Sequence, residues 1–218
     1  MMSVKQRIFL LVGLASIPAV VLTPIGTRSS EIFTFHMIQH ITLMMITGPL
    51  LVLATPATFH PTNKLFQLLT QTHLSWFTYA ALMIGVHLPA PHNFLMMNPW
   101  AHSLIEIPLY VALPYLFYFN LLDRNLVNRR VSPAIAVISL FLMMVPETLT
   151  GFFIYVSQSS LYSDMYEIND QRRGGSIMWS GAMTIDACWI ALAVSHWYKS
   201  EVRRSVEVDA EIAREARA

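Results

Sequence analysis

The chain has 218 residues, of which 55% are hydrophobic and 12% are charged, and its formal net charge is +1 at pH 7. These proportions lie outside the range of soluble domains and indicate an integral membrane protein that contacts a lipid bilayer. So small a net charge, without a large basic patch, argues against nucleic acid as a partner. The single cysteine, Cys188, excludes a disulfide framework within the chain and any CxxC metal motif.

Hydropathy predicts an all-α polytopic membrane bundle of about six transmembrane helices. The predicted spans are residues 8–25, 34–56, 73–91, 101–122, 133–156 and 174–198. They form one predicted domain, residues 1–198, followed by a charged cytoplasmic tail at 199–218. Lys5 and Arg7 precede the first apolar run, but the run is long for a signal peptide and no clean cleavage site follows, so we interpret it as a retained span.

The basic residues predict the orientation of the bundle. One side of the membrane would carry Lys5, Arg7, Lys64, Arg124, Arg129, Arg130, Lys199, Arg203, Arg204, Arg214 and Arg217. The other side would carry only Arg28, Arg172 and Arg173. Because cytoplasmic loops are enriched in Lys and Arg, the first side is predicted to be cytoplasmic, with both termini there.

The second span, FTFHMIQHITLMMITGPLLVLATP, carries His36 and His40 on one helix face near its outer end. An imidazole in hydrocarbon requires a hydrogen-bond partner or a metal. Met37, Met44 and Met45 add thioethers around the same turns, and soft sulfur beside imidazole suits copper. From this stretch alone, hydrogen bonding to a neighbouring helix and ordinary methionine packing are the first interpretation, and metal binding is the second.

Polar residues from five helices are predicted to converge on one layer beneath the outer surface. His87 ends the third span, with His92 in the outer loop, while His102 and Glu106 form a second i, i+4 pair. The predicted layer, within roughly three helical turns of the outer face, contains His36, His40, His87, His102, Glu106 and Glu147. Asp170 and Met178 are expected at the outer entrance of the sixth span, and Met143 precedes the distorting Pro146 in the fifth.

The remaining polar residues of the predicted spans and loops lead to less specific predictions. His60, His73 and His196 are expected near the inner surface as interfacial anchors. Asp186 lies midway along the sixth span, where it is either a protonated, hydrogen-bonded acid or a proton relay. The sequence does not choose between these two roles.

The segments FHMIQHITLMMITGPLLVLATP, VHLPAPHN, His102 to Glu106 and DQRRGGSIMW follow one another in order. Together they resemble the successive motifs of the multi-spanning CtaG family of cytochrome c oxidase assembly factors, over most of residues 33–198. The resemblance implies a multi-pass protein of the bacterial inner (plasma) membrane that is needed to make a haem-copper oxidase. Copper delivery, oxidase subunits as partners and a periplasmic copper chaperone as a further partner are the corresponding expectations.

The leading hypothesis is therefore a non-enzymatic assembly factor that binds and delivers copper. Its expected ligands are His40, His87 and His102, with His36, Met44, Met143 and Met178 as alternatives. Glu106, Glu147 and Asp170 are expected around them, the two glutamates accepting hydrogen bonds from the imidazoles. A haem-binding electron carrier and an accessory oxidase subunit with a purely structural polar layer are the alternatives. The sequence contains no nucleophile and base motif or nucleotide-binding glycine loop, so an enzyme is not expected.

Overall fold

The computed structural model describes residues 2–56, 58–59, 61–122, 131–162 and 165–217. The structure is 81% helical, and the described residues include no β-strand, which confirms the predicted all-α class. His60, Arg124, Arg129 and Arg130, used above to predict the inner surface, lie outside the described residues.

The described part of the chain forms nine helices. They are α1 Val4–Val21, α2 Pro24–Thr27, α3 Phe33–Ala54, α4 Lys64–Leu69, α5 Thr72–Gly85, α6 Pro89–Met97, α7 at residues 99–118, α8 Pro133–Val156 and α9 Ile168–Glu215. Three of these helices contain a π-helical segment: Thr42–Thr47 in α3, His102–Glu106 in α7 and Ile177–Gly181 in α9. Such segments are rare and frequently occur at functional sites.

Among the described residues, four helices are long and apolar enough to cross a membrane: α1, α3, α8 and α9. Helix α5 has 14 residues, which at 1.5 Å per residue gives about 21 Å, less than the roughly 30 Å of a hydrocarbon core. Six spans and cytoplasmic termini therefore stay predictions. Helix α9 continues without a break through the predicted boundary at residue 199, and its side chains beyond that point are largely exposed.

Local sequence signals explain where two of the long helices begin. The Ser3 hydroxyl accepts a hydrogen bond from the Gln6 backbone N–H, and the Gln6 side chain accepts one from the Ser3 N–H, which is a complete capping box at α1. Ser132 caps α8 by accepting from the Ile135 N–H, and Pro133 occupies the first helical position. Each arrangement satisfies backbone donors that the first helical turn leaves free.

The outward faces of α1 and α8 are apolar and exposed, as a lipid environment requires. Helix α1 buries only Gly13 and Val20, and α8 exposes Ile138, Phe141 and Phe153. The interior is instead rich in methionine and aromatic side chains around α3, including the fully buried Phe33, Met37 and Met44. Helix α3 is therefore the central helix of the bundle.

Glycines bring α8 and α9 into close contact. A Cβ atom added at Gly151 would lie 2.6 Å from the Trp179 backbone nitrogen, and one added at Gly175 would lie 2.6 Å from the Tyr155 nitrogen. Small residues of this kind allow helix backbones to approach within a membrane. The close approach places the C-terminal turns of α8 beside the first turns of α9.

Candidate functional site

Five buried or largely buried imidazoles gather near one end of the bundle. They come from four segments: His36 and His40 of α3, His87 after α5, His92 of α6 and His102 of α7. Ring centroids of His36 lie 6.4 Å from His40, 5.0 Å from His92 and 6.2 Å from His102, and those of His40 and His87 are 4.8 Å apart. We call these five residues the imidazole cluster.

Glu106 is the carboxylate of the imidazole cluster. Its Oε2 accepts a hydrogen bond from His102 Nδ1 at 2.6 Å, and its Oε1 accepts one from the Tyr110 hydroxyl. His36 Nε2 lies 4.0 Å from Oε1. Because Nδ1 of His102 carries the proton donated to Glu106, its Nε2 is left as an acceptor, 3.3 Å from the Ser29 hydroxyl.

His87 is oriented by its own helix turn. Its Nδ1 donates to the Met83 carbonyl oxygen at 2.6 Å, which fixes the neutral tautomer with the lone pair on Nε2. The Nε2 atom is buried and has no hydrogen-bond partner. The local geometry thus presents an unshared lone pair beside the His40 ring.

Unsatisfied nitrogen atoms are concentrated in this cluster. Both ring nitrogens of His36 and both of His40 are buried without a hydrogen-bond partner, as is His87 Nε2. Each unsatisfied buried polar group costs on the order of 1–3 kcal/mol. Five such nitrogen atoms lie in the adjoining rings of His36, His40 and His87.

The N-terminus of α3 is held in place by a residue from α9. Asp170 accepts hydrogen bonds from the Phe33 backbone N–H at 2.6 Å and the Thr34 N–H at 3.3 Å. A carboxylate at this position satisfies free helix donors and complements the positive end of the helix dipole. A Cβ atom at Gly174 would lie 2.4 Å from the Phe33 ring, so the glycine allows α9 to pack directly against the turn that carries His36.

Sequence comparison identifies the family to which this arrangement belongs. Residues 2–200 match the family described as cytochrome c oxidase caa3 assembly factor. The chain belongs to this family of assembly factors. No match was found among curated proteins or among solved structures. The family resemblance predicted from the motifs is thereby confirmed, and membership implies interaction with oxidase subunits.

The imidazole cluster of the assembly factor includes one histidine, His92, that the sequence placed in a loop. His92 is fully buried on α6, with its ring 4.1 Å from that of Tyr162 and its Nε2 3.0 Å from the Tyr166 hydroxyl. Burial, reinforced by the nearby His87, lowers the pKa of His92 to about 3, so the ring is neutral at physiological pH. The sequence signal that could have predicted this burial is the position of His92, five residues after His87. A short helix that returns into the bundle brings both rings inward.

Other predicted site residues of the assembly factor are buried in different surroundings. Met44, Met143 and Met178 belong to the apolar core, where Met178 packs against Gly151. Glu147 lies beside Asp186 and Tyr79, and Asp170 caps α3 as described above. In the part of the chain that the structure describes, no three His, Cys, Asp or Glu side chains are arranged to hold a metal ion.

Proposed function

We propose that this assembly factor binds copper through the imidazole cluster and supplies it to a haem-copper oxidase during assembly. The observation that carries the proposal is the set of unpartnered nitrogens on His36, His40 and His87. Neutral imidazole is a good ligand for copper.

The spacing of the rings is compatible with a shared ion after small rotations. An imidazole nitrogen lies about 2 Å from a bound transition metal, so two rings on one ion have centroids roughly 5–6 Å apart. The cluster pairs span 4.8 to 6.4 Å. Copper binding would therefore require the imidazole rings to rotate about their side-chain torsions, while the helices keep their positions.

Two hydrogen bonds would assist such a site. Glu106 orients His102, and the Met83 carbonyl orients His87, so each ring exposes Nε2 as its ligand atom. Hydrogen bonds of this type fix the tautomer and raise the basicity of a ligand imidazole. His87 and His102 are therefore oriented by hydrogen bonds, whereas no hydrogen bond orients the rings of His36 and His40.

The predicted orientation and membership of an assembly-factor family support the proposal that the copper is delivered to the oxidase. With the cluster near the outer surface of a bacterial inner membrane, copper would arrive from a periplasmic chaperone and leave toward an oxidase subunit. The role is transfer of an ion between binding sites, with no catalysed reaction.

A structural polar layer is the second candidate function, favoured by the hydrogen bonds of Glu106 to His102 and Tyr110 and of His92 to Tyr166. It accounts for those contacts but leaves the nitrogens of His36 and His40 unsatisfied. Haem ligation is less favoured, because Phe33 and Tyr110 rings pack against these histidines, whereas a macrocycle needs an open slot.

Metal analysis of protein purified without added copper tests the proposal. The wild type and a His196→Ala control, altered far along α9, should retain equal copper, whereas His40→Ala and His87→Ala should each lose most of it. Melting curves of the same samples establish that the variants fold. Folded variants with wild-type copper content would contradict the assignment. A haem absorption spectrum would support haem ligation instead of copper binding.

A further inference from the structure

A second buried polar group lies between α8 and α9, separate from the imidazole cluster. It consists of Glu147 on α8, Asp186 on α9, Tyr79 on α5 and Tyr118 on α7, and we call it the carboxyl pair with its two phenols. Glu147 is fully buried and Asp186 is 2% exposed. The two carboxyl groups interact with each other, and the Tyr79 hydroxyl faces Glu147.

Several polar atoms of the carboxyl pair and its two phenols have no hydrogen-bond partner. Both oxygens of Glu147, Oδ2 of Asp186 and the Tyr79 hydroxyl are buried without a partner. The ion pairs found among the described residues involve Arg28, Glu31 and the histidine partners of Glu106, none of which belongs to this group. Two adjacent ionised carboxylates in such surroundings repel each other and are poorly solvated, so a positive species must join them.

The ligand atoms of this group, which are all oxygens, determine which cation it can bind. Calcium takes six to eight oxygen ligands and magnesium takes six in a strict octahedron, so all six oxygen atoms of the two carboxyl groups and two phenols would have to face the same ion. Soft copper prefers the sulfur and imidazole ligands available elsewhere in the chain. A proton needs only two acceptor oxygens, which the two neighbouring carboxyl groups supply.

We propose that Glu147 and Asp186 together bind an exchangeable proton, forming a proton-binding site in the middle of the bundle. One carboxyl group carries the proton and donates it in a hydrogen bond to the other, and no other covalent bond changes. The Tyr79 hydroxyl, a neighbour of Glu147, would then donate to the negative charge that remains, with Tyr118 close by. Helices α9 and α5 pack against α8, and the titratable groups that they present to Glu147 are Asp186 and Tyr79.

This site does not depend on copper binding. Glu106, the carboxylate of the imidazole cluster, is engaged by His102 and Tyr110 and is not part of the pair. Loss of copper and loss of the proton can therefore be measured separately.

Infrared spectroscopy of the purified protein at neutral pH tests the proposal, because the C=O stretch of a protonated carboxyl group is absent from carboxylates. The wild type should show this band, and the band should shift in D₂O because the proton exchanges. The double variant Glu147→Gln/Asp186→Asn, which keeps shape without ionisable groups, should lose the band. The matched control Glu106→Gln should retain it.

Four results would overturn the proposal: no such band in the wild type, an identical band in the double variant, a band insensitive to D₂O, or a band that appears only after chelation of bound metal cations. If the double variant does not fold, the single variants Glu147→Gln and Asp186→Asn decide instead. Each should shift or remove the band because the partner of the shared proton has changed, and an unmoved band in both would be equally decisive against the pair.

Discussion

Replacing Glu106 by glutamine tests whether the carboxylate supports a metal site. Glu106 accepts two hydrogen bonds, from His102 Nδ1 at 2.6 Å and from the Tyr110 hydroxyl. A glutamine side chain has one acceptor oxygen, so one of these bonds is lost and an amide N–H faces a donor. Losing a hydrogen bond to a charged group costs about 1.5–3 kcal/mol, which corresponds to roughly 10- to 150-fold in an equilibrium constant.

We therefore expect Glu106→Gln to weaken copper binding by about ten- to a hundredfold, the range typical of losing a partner that orients a ligand. Competition with a chromogenic Cu(I) chelator in detergent measures the affinity, and melting curves of the same samples measure stability. Glu147→Gln is the matched control, since that carboxyl group lies beside Asp186 and should leave the affinity unchanged. Equal affinities in wild type and Glu106→Gln, with a lowered melting temperature, would refute the reasoning.

Three further predictions concern stability. Asp170→Ala removes the cap of α3 and should lower the free energy of unfolding by about 0.5–2 kcal/mol in a thermal melt, with a smaller loss for Asp170→Asn; no loss would contradict the capping role. Gly174→Ala should destabilise by about 1–3 kcal/mol because its Cβ would meet the Phe33 ring. The control Gly85→Ala meets no atom within 4 Å and should be neutral or slightly stabilising, so similar melting of both variants would argue against the close packing. Copper at a hundred times its Kd should raise the stability of the chelator-stripped protein by about 2.7 kcal/mol, and an unchanged melting curve would contradict binding to the folded state.

The histidine pairs illustrate what the sequence could predict. The i, i+4 spacing within a helix places His36 beside His40 and His102 beside Glu106. The helical repeat alone determines this proximity, so it does not depend on how neighbouring helices pack. Apolar runs bounded by basic residues likewise predicted a helical membrane protein. The structure brings His36, His40, His87 and His102 together, while their roles as copper ligands stay predictions.

Residues whose surroundings depend on helix rotation were harder to predict. Depth along the span put Glu147 in the same layer as the histidines, but depth does not determine which way a side chain faces around the helix axis. The glycine contacts of Gly151 and Gly175 turn that face of α8 toward Asp186 instead. His92 was missed for the related reason that a short helix after Pro89 redirects the chain into the bundle.

X-ray absorption at the copper edge, on protein purified from membranes, tests whether imidazole rings bind copper. We predict bound copper whose nearest neighbours are nitrogen atoms, with the outer-shell scattering pattern of at least two imidazole rings. Protein free of copper, or copper surrounded by sulfur or oxygen without imidazole scattering, would contradict it.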